Sequence, residues 1–233
     1  MNISGTDRIL VVAPHPDDEA IGCGGLLAKY GPQCDILVLS DGRKGYRSCD
    51  PVDEDELVKT RETELRSAAA IAAVRNVHFL RIPDGTVSLH KDIITTYDIT
   101  TYDFIFVPNH KERHADHCIV ADFFIEMKKK QHAKANLYEY EVWSPIAAPT
   151  DSIDISDVIK AKQRMVMQYK SQTKYVDYCA MALGLSQYRG AGFQAAYAEV
   201  FSYIRYRTTP QKIYDLLPGR IRKLLRQLRN VFA

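Results

Sequence analysis

An α/β fold, a mostly parallel sheet with helices on both faces, is what this chain of 233 residues predicts. Three observations carry that expectation. Short apolar runs recur along the chain and end at proline, Asp-Gly or another turn signal. Stretches of helical length, rich in alanine and charge, separate them, which makes successive βαβ units. The hydrophobic content of 46% is enough for a chain of this length to bury one sizeable core. The frame is therefore Rossmann-like, a single domain over residues 1–209 followed by a basic, amphipathic helical extension over 210–233.

The first run, "RILVVAP", suits a buried parallel strand stopped by Pro14. Residues 19–30 follow as a helix, with Glu19 near its start and Ile21, Leu26 and Leu27 as its apolar positions. Gly22, Gly24 and Gly25 weaken its propensity but allow close packing. "CDILVLSDG" is a second strand, and the acidic "CDPVDEDE" leads into a long helix over residues 57–74. "VHFLRIPDG" is a third strand ending at Asp84-Gly85, and "DFIFVPNH" a fourth. Between them "ITTYDITTYD" repeats five residues once and reads as a loop or helix lead-in. "LYEYEVWSP" is a further strand, residues 158–169 a helix, and "YAEVFSYIRY" a helix or strand.

From Pro210 onward the chain carries a net +5, against −3 for the rest. In residues 219–233 the apolar Ile221, Leu224, Leu225, Leu228, Val231 and Phe232 share one helical face, and the cations lie mostly on the other. Such a helix lies on an anionic membrane surface, or docks on its own domain or a partner subunit. The overall charge of +2 gives no argument for nucleic acid, and none is expected as a partner. Five cysteines without a CxxC pair point to a reducing compartment. The N-terminus lacks the basic and apolar regions of a signal peptide. No apolar stretch approaches the ~20 residues a bilayer span needs. A cytoplasmic protein is expected, peripheral at the inner membrane face if the tail binds lipid. The sequence leaves open whether it is a monomer or a homo-oligomer.

Ligands of open α/β sheets bind beyond the carboxyl ends of the strands. The first strand delivers "PHPDDE" to that edge and the fourth delivers "PNHKERHADH", so the two polar clusters are expected to meet. Two histidines and a carboxylate make a catalytic metal site. His15 and Asp18 can aim at one ion, with His117 or His114 as the third ligand. With Asp18 as ligand, Asp17 is free to take a proton from a water that the metal has acidified. His114 is placed to steady an oxyanion and protonate a leaving amine, and Asp116 to hold a histidine ring in one tautomer.

These residues resemble the PIG-L/LmbE family of metal-dependent N-acetylglucosamine deacetylases, which reads Ala-His-Pro-Asp-Asp-Glu and later His-Pro-Asp-His. "GCGGLLAKY", "TRETELRSAAAIAAV", "RIPDG", "QYKSQ" and "AYAEVF" extend the likeness over residues 7–207. The resemblance implies His15, Asp18 and His117 as metal ligands, Asp17 as general base and His114 as stabiliser and acid. It implies Arg61 and Asp84 as contacts to sugar hydroxyls. Pro14 and Ala115 depart from the family pattern without removing a functional side chain. The implied cofactor is Zn2+, with Fe2+ or another divalent metal accepting the same ligands. The implied partner is an N-acetylated amino-sugar conjugate, and the basic tail adds the reading that it is lipid-linked.

Plainer readings compete at several positions. An Asp in such a turn ordinarily caps the next helix, and Glu19 at a helix start meets the dipole. His110 is expected as a loop histidine and Cys118 as core packing, while Asp41 and Arg43 suit a turn as well as a substrate contact. Arg61 and Glu64, three apart, suit a surface ion pair, and Asp84 a turn. Two other function classes remain: a non-catalytic sugar- or nucleotide-binding protein, which needs no Asp17, and a non-haem iron oxygenase, whose usual His-x-Asp spacing is absent here.

Overall fold

The computed structural model describes residues 1–47 and 50–205. In chain order the elements are β1 (Ile9–Ala13), α1 (Asp18–Tyr30), β2 (Cys34–Ser40), α2 (Glu54–Ile71), β3 (Asn76–Ile82), α3 (Lys91–Thr95), β4 (Phe104–Pro108) and α4 (Ala115–Cys118). Then come α5 (Val120–Lys130), β5 (Asn136–Tyr140), β6 (Asp151–Asp154), α6 (Ile159–Val166), α7 (Lys170–Thr173), α8 (Tyr178–Ala191) and β7 (Ala198–Tyr203). The seven strands form one sheet in the order β3-β2-β1-β4-β5-β7-β6. β3, β2, β1, β4 and β5 run parallel, and β7 and β6 add antiparallel pairs at one edge.

Strand residues alternate between two buried faces. Ile9, Val11, Ile36, Val38, Phe104 and Phe106 pack under α1, α2, α6 and α8. Leu10, Val12, Leu37, Leu39, Ile105 and Val107 pack under α3 and α5. Both faces being covered, the central strands are apolar throughout rather than alternating with polar residues. The glycines of α1 serve close approach, as expected. A Cβ on Gly22 would lie 2.3 Å from the Tyr140 ring, and one on Gly25 2.4 Å from Ile155.

Several details differ from the sequence expectations. α2 begins three residues earlier than its apolar pattern suggests because Asp53 caps it, its side chain accepting the N–H groups of Asp55 and Glu56. The acidic stretch is thus partly a first helical turn, where acids meet the dipole favourably. "YAEVFSYIRY" contains strand β7, and part of "ITTYDITTYD" is helix α3. The expected helix of 210–233 lies outside the described residues. Among the described residues no helix is long and apolar enough to cross a membrane.

The chain runs outward from β1 through β2 to β3, then returns to the other side of β1 for β4 and β5. The strand order therefore reverses between β1 and β4, the place where ligands sit in open sheets.

Candidate metal and substrate site

β1 hands the chain to Pro14-His15-Pro16, and Asp17 follows with φ +139° and ψ −28°. A non-glycine residue rarely adopts that conformation, which costs about 1–3 kcal/mol. Its neighbours enforce it. The Asp17 N–H donates to the Glu19 carboxylate at 3.2 Å, and Arg61 Nη2 reaches Asp17 Oδ2 at 3.1 Å. Asp17 occupies the N-cap position of α1 yet its side chain makes no capping bond. The ordinary reason for an aspartate there does not apply.

Arg61 is 3% exposed and also donates to the carbonyls of Pro16 at 2.6 Å and Gly42 at 2.8 Å. The structure thus places Arg61 under the Asp17 turn. Glu19 is fully buried and accepts the Tyr169 hydroxyl. Burial pushes its carboxyl up to about 8, with the Tyr169 bond opposing and the Asp17 charge adding. It braces the turn through its bonds to the Asp17 N–H and the Tyr169 hydroxyl.

β4 ends at Pro108, and the following loop carries His114, Asp116 and His117 into α4. His15 Nδ1 lies 3.1 Å from His117 Nε2 and 3.3 Å from Asp18 Oδ2, and His117 Nε2 lies 3.1 Å from the same Oδ2. Three donor atoms from two loops, a hundred residues apart, thus form a near-equilateral triangle. Ligands about 2.0–2.1 Å from one tetrahedral ion are spaced close to this. On the far side of the His15 ring, Nε2 lies 3.1 Å from Asp84 Oδ1 and 3.5 Å from Asp116 Oδ2. An N–H there leaves the lone pair on Nδ1, pointing into the triangle. Two ring nitrogens that close, beside a carboxylate oxygen, fit a divalent cation.

The charges agree. Burial pushes Asp18, Asp84 and Asp116 up, and the histidines and backbone N–H groups around them outweigh it, so all three stay below the usual carboxylate range, Asp84 at about 2. Burial pulls His15 down, and Asp116, Asp18 and Asp84 outweigh that and raise it. The site is built for positive charge. Asp17 behaves differently: burial pushes it up to about 7 against the pull of Arg61, with the Asp18 charge adding.

His114 is exposed at the start of α4, its ring centroid 4.6 Å from that of His15 and 5.1 Å from that of His117. Burial of part of the ring, then its two histidine neighbours, lowers its pKa. Asp116 accepts the N–H groups of Gly85 at 2.8 Å and Val87 at 3.3 Å, so it ties the second loop to the end of β3 while facing His15. Asp84 Oδ2 accepts the Lys44 N–H, and Asp41 accepts the N–H groups of Arg43 and Asp84, joining the loops after β2 and β3. His110 pairs with Glu139, and the Cys118 thiol donates to the Glu112 carbonyl. Sequence reasoning passed over two supports. Glu112 binds the backbone beyond β5, and Tyr169 binds Glu19. Glu112 had a signal, a carboxylate inside the histidine loop, and Tyr169 lies in the family-like block "QYKSQ", which gives no role for it.

The family described as PIG-L, GlcNAc-PI de-N-acetylase, matches residues 10–128, just over half of the chain and both polar loops. The chain belongs to the PIG-L family. It is 28% identical over 187 residues to the diacetylchitobiose deacetylase of Thermococcus kodakarensis, covering 71% of this chain and 70% of that protein. The N,N′-diacetylchitobiose deacetylase of Pyrococcus horikoshii, solved with an inhibitor, superposes with a TM-score of 0.73 at 20% identity, over 91% of this chain and 87% of that one. GalB of Pseudomonas putida, a 4-carboxy-2-hydroxymuconate hydratase, superposes with a TM-score of 0.67 at 21% identity, over 87% of this chain and 98% of that one. At such identities the likeness shows the fold alone, and this PIG-L fold also carries chemistry other than deacetylation.

Proposed function

We propose that this chain is a metal-dependent deacetylase that hydrolyses the N-acetyl group of an amino-sugar conjugate to acetate and free amine. The observation that carries the reading is the triangle of His15 Nδ1, Asp18 Oδ2 and His117 Nε2 beside Asp17, a carboxylate held by Arg61 and not spent on a helix cap. Membership of the PIG-L family and the relation to a diacetylchitobiose deacetylase support an N-acetylglucosamine-type substrate.

His15, Asp18 and His117 would hold the ion, zinc by preference of the donor set, with iron(II) accepting the same ligands. When bound, such an ion supplies a Lewis acid and a water whose pKa is brought to about 7. Asp17, raised by burial, held by Arg61 and free of any capping bond, is placed to accept a proton from the attacking water and return it to the leaving nitrogen. His114, kept neutral by its lowered pKa, offers a ring N–H to the developing oxyanion. This division gives Asp17 the acid role that the motif alone suggests for His114. Arg61 orients Asp17, and Asp84 with Asp116 orients His15; a sugar contact by Arg61 or Asp84 would use what those bonds leave free.

The test is release of amine from a panel of N-acetylglucosamine conjugates by metal-loaded protein. Amine is expected with metal and is lost on chelation. No release from any conjugate by protein that holds its metal would overturn the reading. A finer reading, a lipid-linked substrate met at the inner membrane face, rests on the cationic segment 219–233. Deleting that segment should abolish binding to anionic liposomes, and unchanged binding would remove it.

A further inference from the structure

Trp143 lies just beyond β5 on the same sheet edge as the site, and it is 38% exposed. A single exposed aromatic is common on protein surfaces and decides nothing alone. Three further observations distinguish this one. Its backbone N–H is clamped by the buried Glu112 carboxylate at 3.0 and 3.2 Å, and the Val142 N–H by the same group at 2.9 Å. Glu112 belongs to the loop that carries His114, Asp116 and His117, so the tryptophan is tied to the histidine loop. The ring meets Tyr178, at the start of α8, edge to face with centroids 5.4 Å apart and an interplanar angle of 73°.

We propose that Trp143, braced by Tyr178, is a stacking subsite for the sugar ring adjoining the N-acetylated residue of the substrate. The proposal rests on the deacetylase reading and deepens it. A pyranose presents one face of axial C–H groups, apolar and flat enough to lie on an indole, while its hydroxyls stay solvated at the rim. A rigid aromatic loses little conformational freedom on such contact. The subsite selects for a second ring and leaves the acetyl group to the histidine loop.

Trp143 is the single tryptophan of the chain, so its emission reports on the subsite directly. The experiment uses full-length Asp17→Asn protein with its metal, titrated with N-acetylglucosamine, its β1,4-linked disaccharide and octyl N-acetylglucosaminide. The disaccharide is expected to change the emission saturably, and far more than the monosaccharide or the octyl glycoside at equal occupancy. Tyr178→Leu, which keeps the reporter, should weaken the disaccharide's apparent Kd about tenfold. In turnover, Trp143→Ala should lower the ratio of kcat/KM for two-ring over one-ring substrate about tenfold, with partial rescue by Trp143→Phe. Emission unmoved by saturating disaccharide, a larger response to the octyl chain, or an unchanged ratio would each overturn the subsite. Failure of the deacetylase reading looks different, because the disaccharide would still move the emission while wild-type protein released no amine.

Discussion

Behind α1, Glu199 accepts the N–H groups of Gly25 at 2.7 Å and Leu26 at 2.8 Å, and the buried Lys162 ammonium at 2.7 Å. At the N-terminus of the same helix, Asp18 Oδ2 accepts the His15 N–H at 2.9 Å and then faces two ring nitrogens that also face each other. Both clusters are buried and both belong to α1. The first is closed by the chain itself: each oxygen has a donor and the charges cancel. The second leaves lone pairs converging on one point. A buried ion pair completed internally fixes where a helix packs, whereas a cluster that only a cation completes marks where chemistry happens.

Breaking the two clusters should therefore fail differently. Asp17→Asn is expected to lower kcat by about 10²–10⁴ with metal content unchanged, measured by amine release and elemental analysis. Metal lost from that variant would make Asp17 a ligand and contradict its role as base. Lys162→Met leaves Glu199 buried without its cation and should destabilise the fold by about 3–5 kcal/mol in urea unfolding. Its folded fraction should still bind metal. Gly22→Ala forces a Cβ to within 2.3 Å of the Tyr140 ring and 2.6 Å of the Glu141 carbonyl, so about 1–3 kcal/mol of stability should be lost by overpacking.

The smallest effect concerns pH. At the opposite sheet edge, Asp35 accepts Arg75 at 2.7 and 2.9 Å, Tyr102 at 2.7 Å and Asn76 at 3.0 Å. Burial pushes its carboxyl up, and these bonds outweigh that and lower it. A depressed folded-state pKa contributes stability that is complete above the unfolded value of about 4 and is lost as pH falls through the folded one. Wild-type stability should thus decline below pH ~4 more steeply than that of Asp35→Asn, followed by urea midpoints across that range. Equal slopes would show that Asp35 adds nothing to acid stability.

Much of this was legible in the sequence where local pattern and edge rules act together. The apolar runs of β1, β2, β3 and β4 name their strands, and their carboxyl ends bring "PHPDDE" and "HADH" together at the β1/β4 reversal. The antiparallel edge was not legible. β6 is the four-residue, half-exposed "DSID", whose strand identity comes only from pairing with β7. The direction of Arg61 was hidden too, because a helix pattern shows which face a side chain takes but not that two loop carbonyls and a carboxylate will wrap its guanidinium. Trp143 gave no periodic signal, since its setting depends on a clamp from a loop some thirty residues earlier.

The most direct test is metal stoichiometry after dialysis against trace zinc, by elemental analysis of wild type, Asp17→Asn and Asp18→Ala. One ion per chain is expected in the first two and close to none in the third. An ion retained by Asp18→Ala, or absent from the folded wild type, would contradict a cation held jointly by His15, Asp18 and His117.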